Sequence, residues 1–512
     1  MRGPYNRLAW CCLVAFGFLI VWITGHWGIN VMDHSILFDG GYRIYQGQVP
    51  YKDFFMAYPP GTLWVQALFF GLWGLDFSAL VLPAALANAA GVGMAMGMTL
   101  KLFPQDRLAA AVSGLFTAVW FLGPFGALQH EQLAFLFDFA ALWLIVRWPA
   151  PAARAGAGLA LACAMLCKQN AGGMFVPVVL SAVVLQQMPQ WRRIAFDWLL
   201  LGVTTALGLG AFALWVCFYS DWTMFVLHAV RIPSSFGLLR LLAHPAATLE
   251  SVLRFGMPGP LYPLGLPLAA LVLAGFVHGV RKGDVTIRLA GGLAFTFLIF
   301  SALFQVSALN DRANSLPFLG LVCGWGLAMA RRMNSKRLPL AAALLMLPLG
   351  VAGLAIDLVR AVHQPKPVDY SEKLSIPAMR RVSWANPTYI GEFTISRQEW
   401  EGLYNYLMAR PGNFFIFPDA TIFYGITGRP SPQPLLYFVR GHSFADADIP
   451  RVDAAILASL QHHNIQTFVW EERTFMHTAN TLTLFPQTNA WLHTNFHKTR
   501  NFGIFQVWER LP

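Results

Sequence analysis

Charged side chains are scarce in this chain. Of 512 residues only 12 % are Asp, Glu, Lys or Arg, about half the share carried by an ordinary soluble domain. With 56 % hydrophobic residues and apolar runs that recur along its length, that shortage excludes a simple soluble globule. It predicts a polytopic α-helical membrane protein. Cysteine is also rare. Cys11, Cys12, Cys163, Cys167, Cys217 and Cys323 all lie in apolar runs, at no spacing that fits a disulfide framework or a metal site. Cys163 and Cys167 are four apart on one helical face and read as small buried residues. The chain lacks a phosphate-cradling glycine loop, an HExxH pair, paired CxxC motifs and a nucleophile elbow with a triad. Acidic residues are outnumbered, giving a formal net charge of +11. The excess Lys and Arg sit in short clusters between apolar runs. That is the positive-inside pattern, and it removes nucleic acid as the reason for the charge.

The N-terminus carries Arg2 and Arg7 and then an apolar run with no small-residue cleavage site, which reads as an uncleaved first span. Further runs fall at about 60–75, 79–100, 108–125, 131–147, 155–187, 194–218, 261–280, 289–306, 315–330 and 338–358. The clusters Lys101/Arg107, Arg147/Arg154, Arg192/Arg193, Arg281/Lys282/Arg288 and Arg331/Arg332/Lys336/Arg337 are assigned to the cytoplasmic side. Between Arg7 and Lys101 the chain must then cross an even number of times. The run at 60–75 is the one that does not span, because its helix is roughly 24 Å long against a ~30 Å hydrocarbon core. It is placed as a re-entrant or surface helix. The run at 155–187 lies between two basic clusters and is therefore a hairpin with its apex at 167–173. The total is about eleven crossings, with the N-terminus inside and loop 26–78 outside.

From about 362 to 512 no run is long enough to span. The segments 414–417, 467–470 and 503–508 read as buried strands, and 396–408 and 452–460 as amphipathic helices. The expected organisation is a transmembrane domain over 1–361 and a soluble α/β domain over 362–512 on the outer face.

The polar residues of interest fall on that same outer side. Asp33, Asp39 and Asp53 lie in the first loop, Asp33 at the start of a surface helix expected over 33–46. A carboxylate there can act as a general base, although spacing alone favours an N-cap for Asp33. His130 and Glu131 open the next outer element, His130 as an interfacial histidine. Asp138 follows Glu131 by seven residues, on the same helical face and about 10 Å deeper. Acids inside a span face the bundle interior or a wet cavity. Lys168 at the hairpin apex and Arg312 in Asn310-Asp311-Arg312 are cations that can hold a phosphate. Arg231 reads instead as a snorkelling residue.

These residues carry a family likeness. Asp33-His34, Gly40-Gly41-Tyr42, Gly47-Gln48-Val49-Pro50-Tyr51-Lys52-Asp53-Phe54, Tyr58-Pro59-Pro60-Gly61 and Phe69-Phe70-Gly71 resemble the first outer loop of GT-C glycosyltransferases, which include protein O-mannosyltransferases and aminoarabinose transferases. His34 stands where Glu is commoner, and Gly61 where Leu is. His130-Glu131-Gln132-Leu133 resembles the second outer loop, Lys168-Gln169 with Pro177 the lysine turn, and Arg312 to Pro317 the segment before a late span. Pro418-Asp419, with Tyr424 and Thr427-Gly428-Arg429, is similar to a segment of related bacterial proteins.

The resemblance implies sugar transfer from a polyprenyl phosphate or diphosphate carrier to an acceptor hydroxyl, on the periplasmic side of a bacterial inner membrane. Asp33 would be the base, and Glu131 would hold hydroxyls. Lys168 and Arg312 would neutralise the leaving phosphate, and Asp53 would orient the loop or touch sugar. Asp39, His130 and Asp138 complete the expected substrate-binding set. With His34 in place of the second acid a divalent metal is not favoured. The expected partners are the lipid-linked donor, membrane lipids and an acceptor that is protein, lipid or glycan. A transporter or flippase of lipid-linked sugars is the alternative, but it would show duplicated halves and a mid-membrane site. Neither is evident beyond Asp138. A non-catalytic scaffold is the third possibility.

Overall fold

The computed structural model describes residues 4–122, 126–235, 238–257, 259–308, 316–333, 337–359, 369–385, 388–390, 393–471 and 481–512. Arg2, Lys336 and the Asn310-Asp311-Arg312 segment lie outside them.

Each apolar run forms a helix. The first nine are α1 (Pro4–Thr24), α2 (Val31–Tyr45), α3 (Gly61–Trp73), α4 (Ser78–Leu102), α5 (Arg107–Trp120), α6 (His130–Arg147), α7 (Pro151–Cys167), α8 (Gln169–Gln187) and α9 (Trp191–Tyr219). Gly265–Lys282, Val285–Ala308, Leu319–Arg332 and Leu338–Val359 follow. The run at 155–187 breaks into two helices, as its flanking charges require, and Lys168 alone separates them. Among the described residues six helices are long and apolar enough to cross a membrane, and four more apolar helices are shorter, α3 among them.

The chain divides into two compact units. One comprises 1–24, 84–213 and 236–362, and the other 25–83, 214–235 and 363–512. The expected boundary at 361/362 lies outside the described residues; the first loop and the 214–235 segment group with the C-terminal residues rather than with the helices.

The helical unit is held by close approach at small residues. In Leu319–Arg332, Gly320 and Gly324 are spaced as a small-xxx-small pair and pack on α5. A Cβ on Gly324 would stand 2.6 Å from the Ala109 carbonyl and collide with Ser113 Oγ. Without a hydrophobic driving force between helices in lipid, such backbone contact is what holds them. Phe135, Phe175, Phe297, Phe300, Phe304 and Phe318 interlock beside it, Phe139 and Phe318 stacking at 4.8 Å.

A buried polar network in this unit centres on Arg154. Arg154, fully buried, donates from Nε to Asp197 at 2.9 Å and from the guanidinium to Gln186 at 2.8 Å. The sequence reads Arg154 as a free cytoplasmic charge. In the fold it is half of an ion pair joining α7 to α9.

The second unit carries a four-stranded sheet of order β3-β4-β6-β5, from β3 (Asn413–Phe417), β4 (Ile465–Glu471), β5 (Phe496–Phe502) and β6 (Phe505–Arg510). β3 and β4 are parallel, and the other pairs are antiparallel. The helices Arg397–Ala409 and Ile449–His462 match the amphipathic expectations, and the first opens with a Ser396/Glu399 capping box. A short hairpin, β1 (Thr388–Ile390) with β2 (Phe393–Ile395), precedes them.

Replacing Gly324 by Ala should cost about 1–3 kcal/mol through overpacking. Gly210→Ala, where a Cβ meets nothing within 4 Å, should be neutral or slightly stabilising. Thermal unfolding of both variants in detergent measures the difference.

Candidate functional site

Asp33 lies in the first turn of α2, but it is not the N-cap. Asn30 takes that place, its side chain accepting from the Asp33 N–H at 3.1 Å and donating to Asp33 Oδ2 at 2.8 Å. The carboxylate therefore stands at the helix end where the dipole favours negative charge, partly exposed. Nor is α2 a surface helix. His34 to Arg43 are buried, because the C-terminal residues and α3 cover it. Gly40 and Gly41 allow this. A Cβ on Gly40 would meet Leu63 at 2.6 Å and Leu436 at 3.1 Å, and one on Gly41 would meet Gln66 at 2.5 Å.

Asp39 is placed differently from its expected substrate role. It is fully buried and pairs with Arg43 Nε at 3.0 Å. The same guanidinium donates to the Gln433 carbonyl at 2.7 Å and to Ser431 Oγ, which in turn donates to Asp39 at 3.2 Å. Burial raises the Asp39 pKa to about 6, against the lowering effect of Arg43. Asp39, through Arg43 and Ser431, fastens α2 to 431–433. Asp53 accepts from the Val49 N–H at 2.7 Å and so closes the turn in which Tyr51 takes φ 64°.

Glu131 and Lys168 meet in the helical unit. Glu131 lies in the first turn of α6, and Lys168 is the extended residue between α7 and α8, with φ −153° and ψ 108°. Their side chains form an ion pair, with the Glu131 residue 9 % and the Lys168 residue 3 % exposed. The ammonium also lies 5.9 Å from the centre of the Phe304 ring. His130 is buried beside them. Asp138 is fully buried, and among the described residues neither of its oxygens has a hydrogen-bond partner. Arg312 lies outside the described residues. The expected residues thus form two sets, Asp33, Asp39 and Asp53 in one unit and His130, Glu131, Asp138 and Lys168 in the other. Among the described residues no group of three His, Cys, Asp or Glu side chains is placed to hold a metal ion.

The sequence did not point to a second polar cluster in the Asp33 unit. His442 stands between two phenols, Tyr58 at 2.7 Å from Nε2 and Tyr437 at 2.8 Å from Nδ1. Burial and the Asp33 charge raise the Tyr437 pKa. The turn bearing His442 is anchored by His228, whose Nδ1 faces the Ser443 carbonyl at 3.3 Å while Arg451 approaches Nε2 at 3.4 Å. His228 belongs to a π-helical turn, Val226–Arg231, and stacks on Phe55 at 4.7 Å. Burial and Arg451 lower its pKa to about 4. Tyr58 and His442 are 384 positions apart, so no local spacing could have paired them.

The Pro418-Asp419 to Arg429 segment proves largely structural. Tyr424 OH accepts from the Ile416 N–H at 2.8 Å, Gly428 takes φ 70° as the helix cap, and Arg429 donates to the Gly412 carbonyl at 3.0 Å.

A family model described as dolichyl-phosphate-mannose-protein mannosyltransferase matches residues 57–215. No curated protein sequence resembles the chain closely enough to count as a match. The chain superposes on the crystal structure of ArnT from Cupriavidus metallidurans bound to undecaprenyl phosphate with a TM-score of 0.54 and 12 % identity, over 98 % of each chain. For ArnT in the apo state the TM-score is 0.50 at 12 % identity, over 99 % of this chain and 98 % of that one. The arabinofuranosyltransferase AftD from Mycobacteria gives 0.46 at 13 % identity, over 99 % of this chain and 40 % of that one. The fold is thus the GT-C fold. With the family match at residues 57–215 and the apolar helices, the chain is a multi-pass membrane protein.

Two outcomes test the anchoring contacts. Arg43→Ala should cost about 3–5 kcal/mol, the usual penalty for leaving a buried partner charge unpaired, and Arg43→Lys should not restore it, because an ammonium cannot reproduce three divergent contacts. The His228 pKa is lower in the folded state, so the unfolded chain binds more protons between pH 6.5 and 4. The unfolding temperature should therefore fall as pH drops through that window, and His228→Phe should flatten the dependence.

Proposed function

We propose that the protein transfers a sugar from a polyprenyl phosphate or diphosphate carrier to an acceptor hydroxyl, with inversion at the anomeric carbon. The observation that carries the proposal is the buried Glu131–Lys168 pair, held where the start of α6 and the break between α7 and α8 come together in a GT-C fold. A cation kept among apolar helices at that cost usually has a function, and a lipid phosphate is the anion a membrane supplies. The ArnT structure of the same fold was solved with undecaprenyl phosphate, which supports a carrier of this class.

In this reading Asp33 takes the proton of the acceptor hydroxyl as its oxygen attacks the anomeric carbon. Lys168, together with Arg312, neutralises the charge that builds on the departing phosphate, the stabilisation such cations supply best. Glu131 holds hydroxyls of the sugar or acceptor, flanked by His130. Asp53 keeps the first loop in shape, and Asp138 is a polar group in the interior below Glu131. The reaction takes place on the periplasmic side of a bacterial inner membrane. The Lys and Arg clusters support that orientation, with the N-terminus cytoplasmic and the soluble domain outside.

Asp33→Asn should lower transfer of radiolabelled sugar from lipid-linked donor into membrane acceptors by about 10²- to 10⁴-fold, the span expected for loss of a general base. Its unfolding temperature should fall only slightly, from the loss of a favourable charge at the helix N-terminus. Transfer at the wild-type rate in that variant contradicts the assignment.

A further inference from the structure

The Lys168 ammonium is already engaged. Its residue is 3 % exposed, Glu131 accepts its hydrogen bond, and the Phe304 ring lies 5.9 Å away. The pair stands where three helix ends come together, the start of α6, the end of α7 and the start of α8. Two of those ends are N-termini, which favour anions. Glu131 lies in the first turn of one of them and follows Gln129, whose side chain makes no cap bond. The arrangement is therefore an anion position that the protein fills with its own carboxylate.

The charges show what an arriving phosphate must do. Glu131 and Lys168 together are neutral. A phosphate carrying one or two negative charges beside them would meet a carboxylate in surroundings of low dielectric, where like charges repel strongly. The carboxylate and the phosphate therefore compete for the ammonium.

We propose that Glu131 is a placeholder, occupying the phosphate position on Lys168 in the empty enzyme and leaving it when an isoprenoid phosphate arrives. This rests on the reading in which Lys168 holds the donor phosphate, and it adds an order of events. Glu131 becomes free to hold a sugar or acceptor hydroxyl only after the donor is in place. A lysine left without a donor stays neutralised, which disfavours the headgroups of bulk phospholipid. Glu131 is thus a positioning residue for Lys168 before it is a ligand for hydroxyls.

The test is binding to the purified full-length protein in detergent, with undecaprenyl phosphate, phosphatidic acid and inorganic phosphate as separate probes. Glu131→Gln removes the competing charge and keeps the hydrogen-bonding shape. It should tighten undecaprenyl phosphate binding about tenfold, equivalent to about 1.4 kcal/mol. Lys168→Gln should weaken binding, and the double variant should behave like Lys168→Gln alone, because Glu131 acts through the lysine. Glu131→Asp, with a shorter reach, should give a smaller tightening and serves if the glutamine variant does not fold.

Unchanged or weaker binding in folded Glu131→Gln, with Lys168→Gln still impaired, overturns the placeholder and leaves the phosphate site standing. Absence of undecaprenyl phosphate binding by the wild type, or no effect of Lys168→Gln, overturns the underlying reading instead. Equal tightening for phosphatidic acid reassigns the site to headgroup phosphates and overturns the isoprenoid assignment.

Discussion

An ionised side chain in an apolar interior has to be paired, and three such pairs organise this molecule. Arg154 with Asp197 ties α7 to α9, Asp39 with Arg43 secures α2, and Glu131 with Lys168 occupies the place where helix ends come together. Desolvating two ions costs several kcal/mol each, and their attraction returns that only in good geometry with further hydrogen bonds. Arg154 and Arg43 have those bonds, to Gln186 and to the Gln433 carbonyl. Lys168 meets the Glu131 carboxylate and lies 5.9 Å from the centre of the Phe304 ring. The first two pairs are built to stay closed. In the proposed reading the third opens when the donor phosphate arrives.

Backbone packing complements these charges. Gly320 and Gly324 bring one helix against the backbone of α5, and Gly40 and Gly41 bring α2 against Leu63, Gln66 and Leu436. In each case the absence of a side chain fixes a neighbouring element. The placement of α2 also fixes Asp33, whose carboxylate is further held by Asn30. The proposed base is therefore carried on a rigid, buried helix, and a rigid element is what a group that must meet a hydroxyl in one orientation needs.

The helices were legible from the sequence because apolar runs and basic clusters are local signals. The run at 155–187 split where its flanking charges required, and Lys168 lies at the split. What was not legible depended on distant partners. The helix over 33–46 has the pattern of a surface helix, and only the arrival of residues 431–436 buries it. Arg154 reads as a loop cation until Asp197, 43 positions away, is seen beside it. β5 was missed because Phe-His-Lys-Thr-Arg-Asn-Phe has no apolar alternation; it is an exposed edge strand guarded by charge. The Tyr58–His442–Tyr437 cluster has no local signature at all. Of the site residues, Glu131 and Lys168 were both named from the sequence. The burial of Asp39 was not legible, because an acid four residues from an arginine looks the same whether it faces solvent or core.

The GT-C fold, the apolar helices and the paired lysine fit an enzyme that handles a charged lipid at the edge of a membrane. Asp33 and Lys168 belong to different compact units, and in the proposed reaction one receives the acceptor's proton while the other receives the charge of the leaving phosphate. The most direct measurement is mass spectrometry of polyprenyl-linked sugars in cells lacking the protein. The account predicts that one polyprenyl-phosphate or polyprenyl-diphosphate sugar accumulates and that the wild-type gene restores its normal level. A lipid-linked sugar pool that does not change on deletion would contradict it.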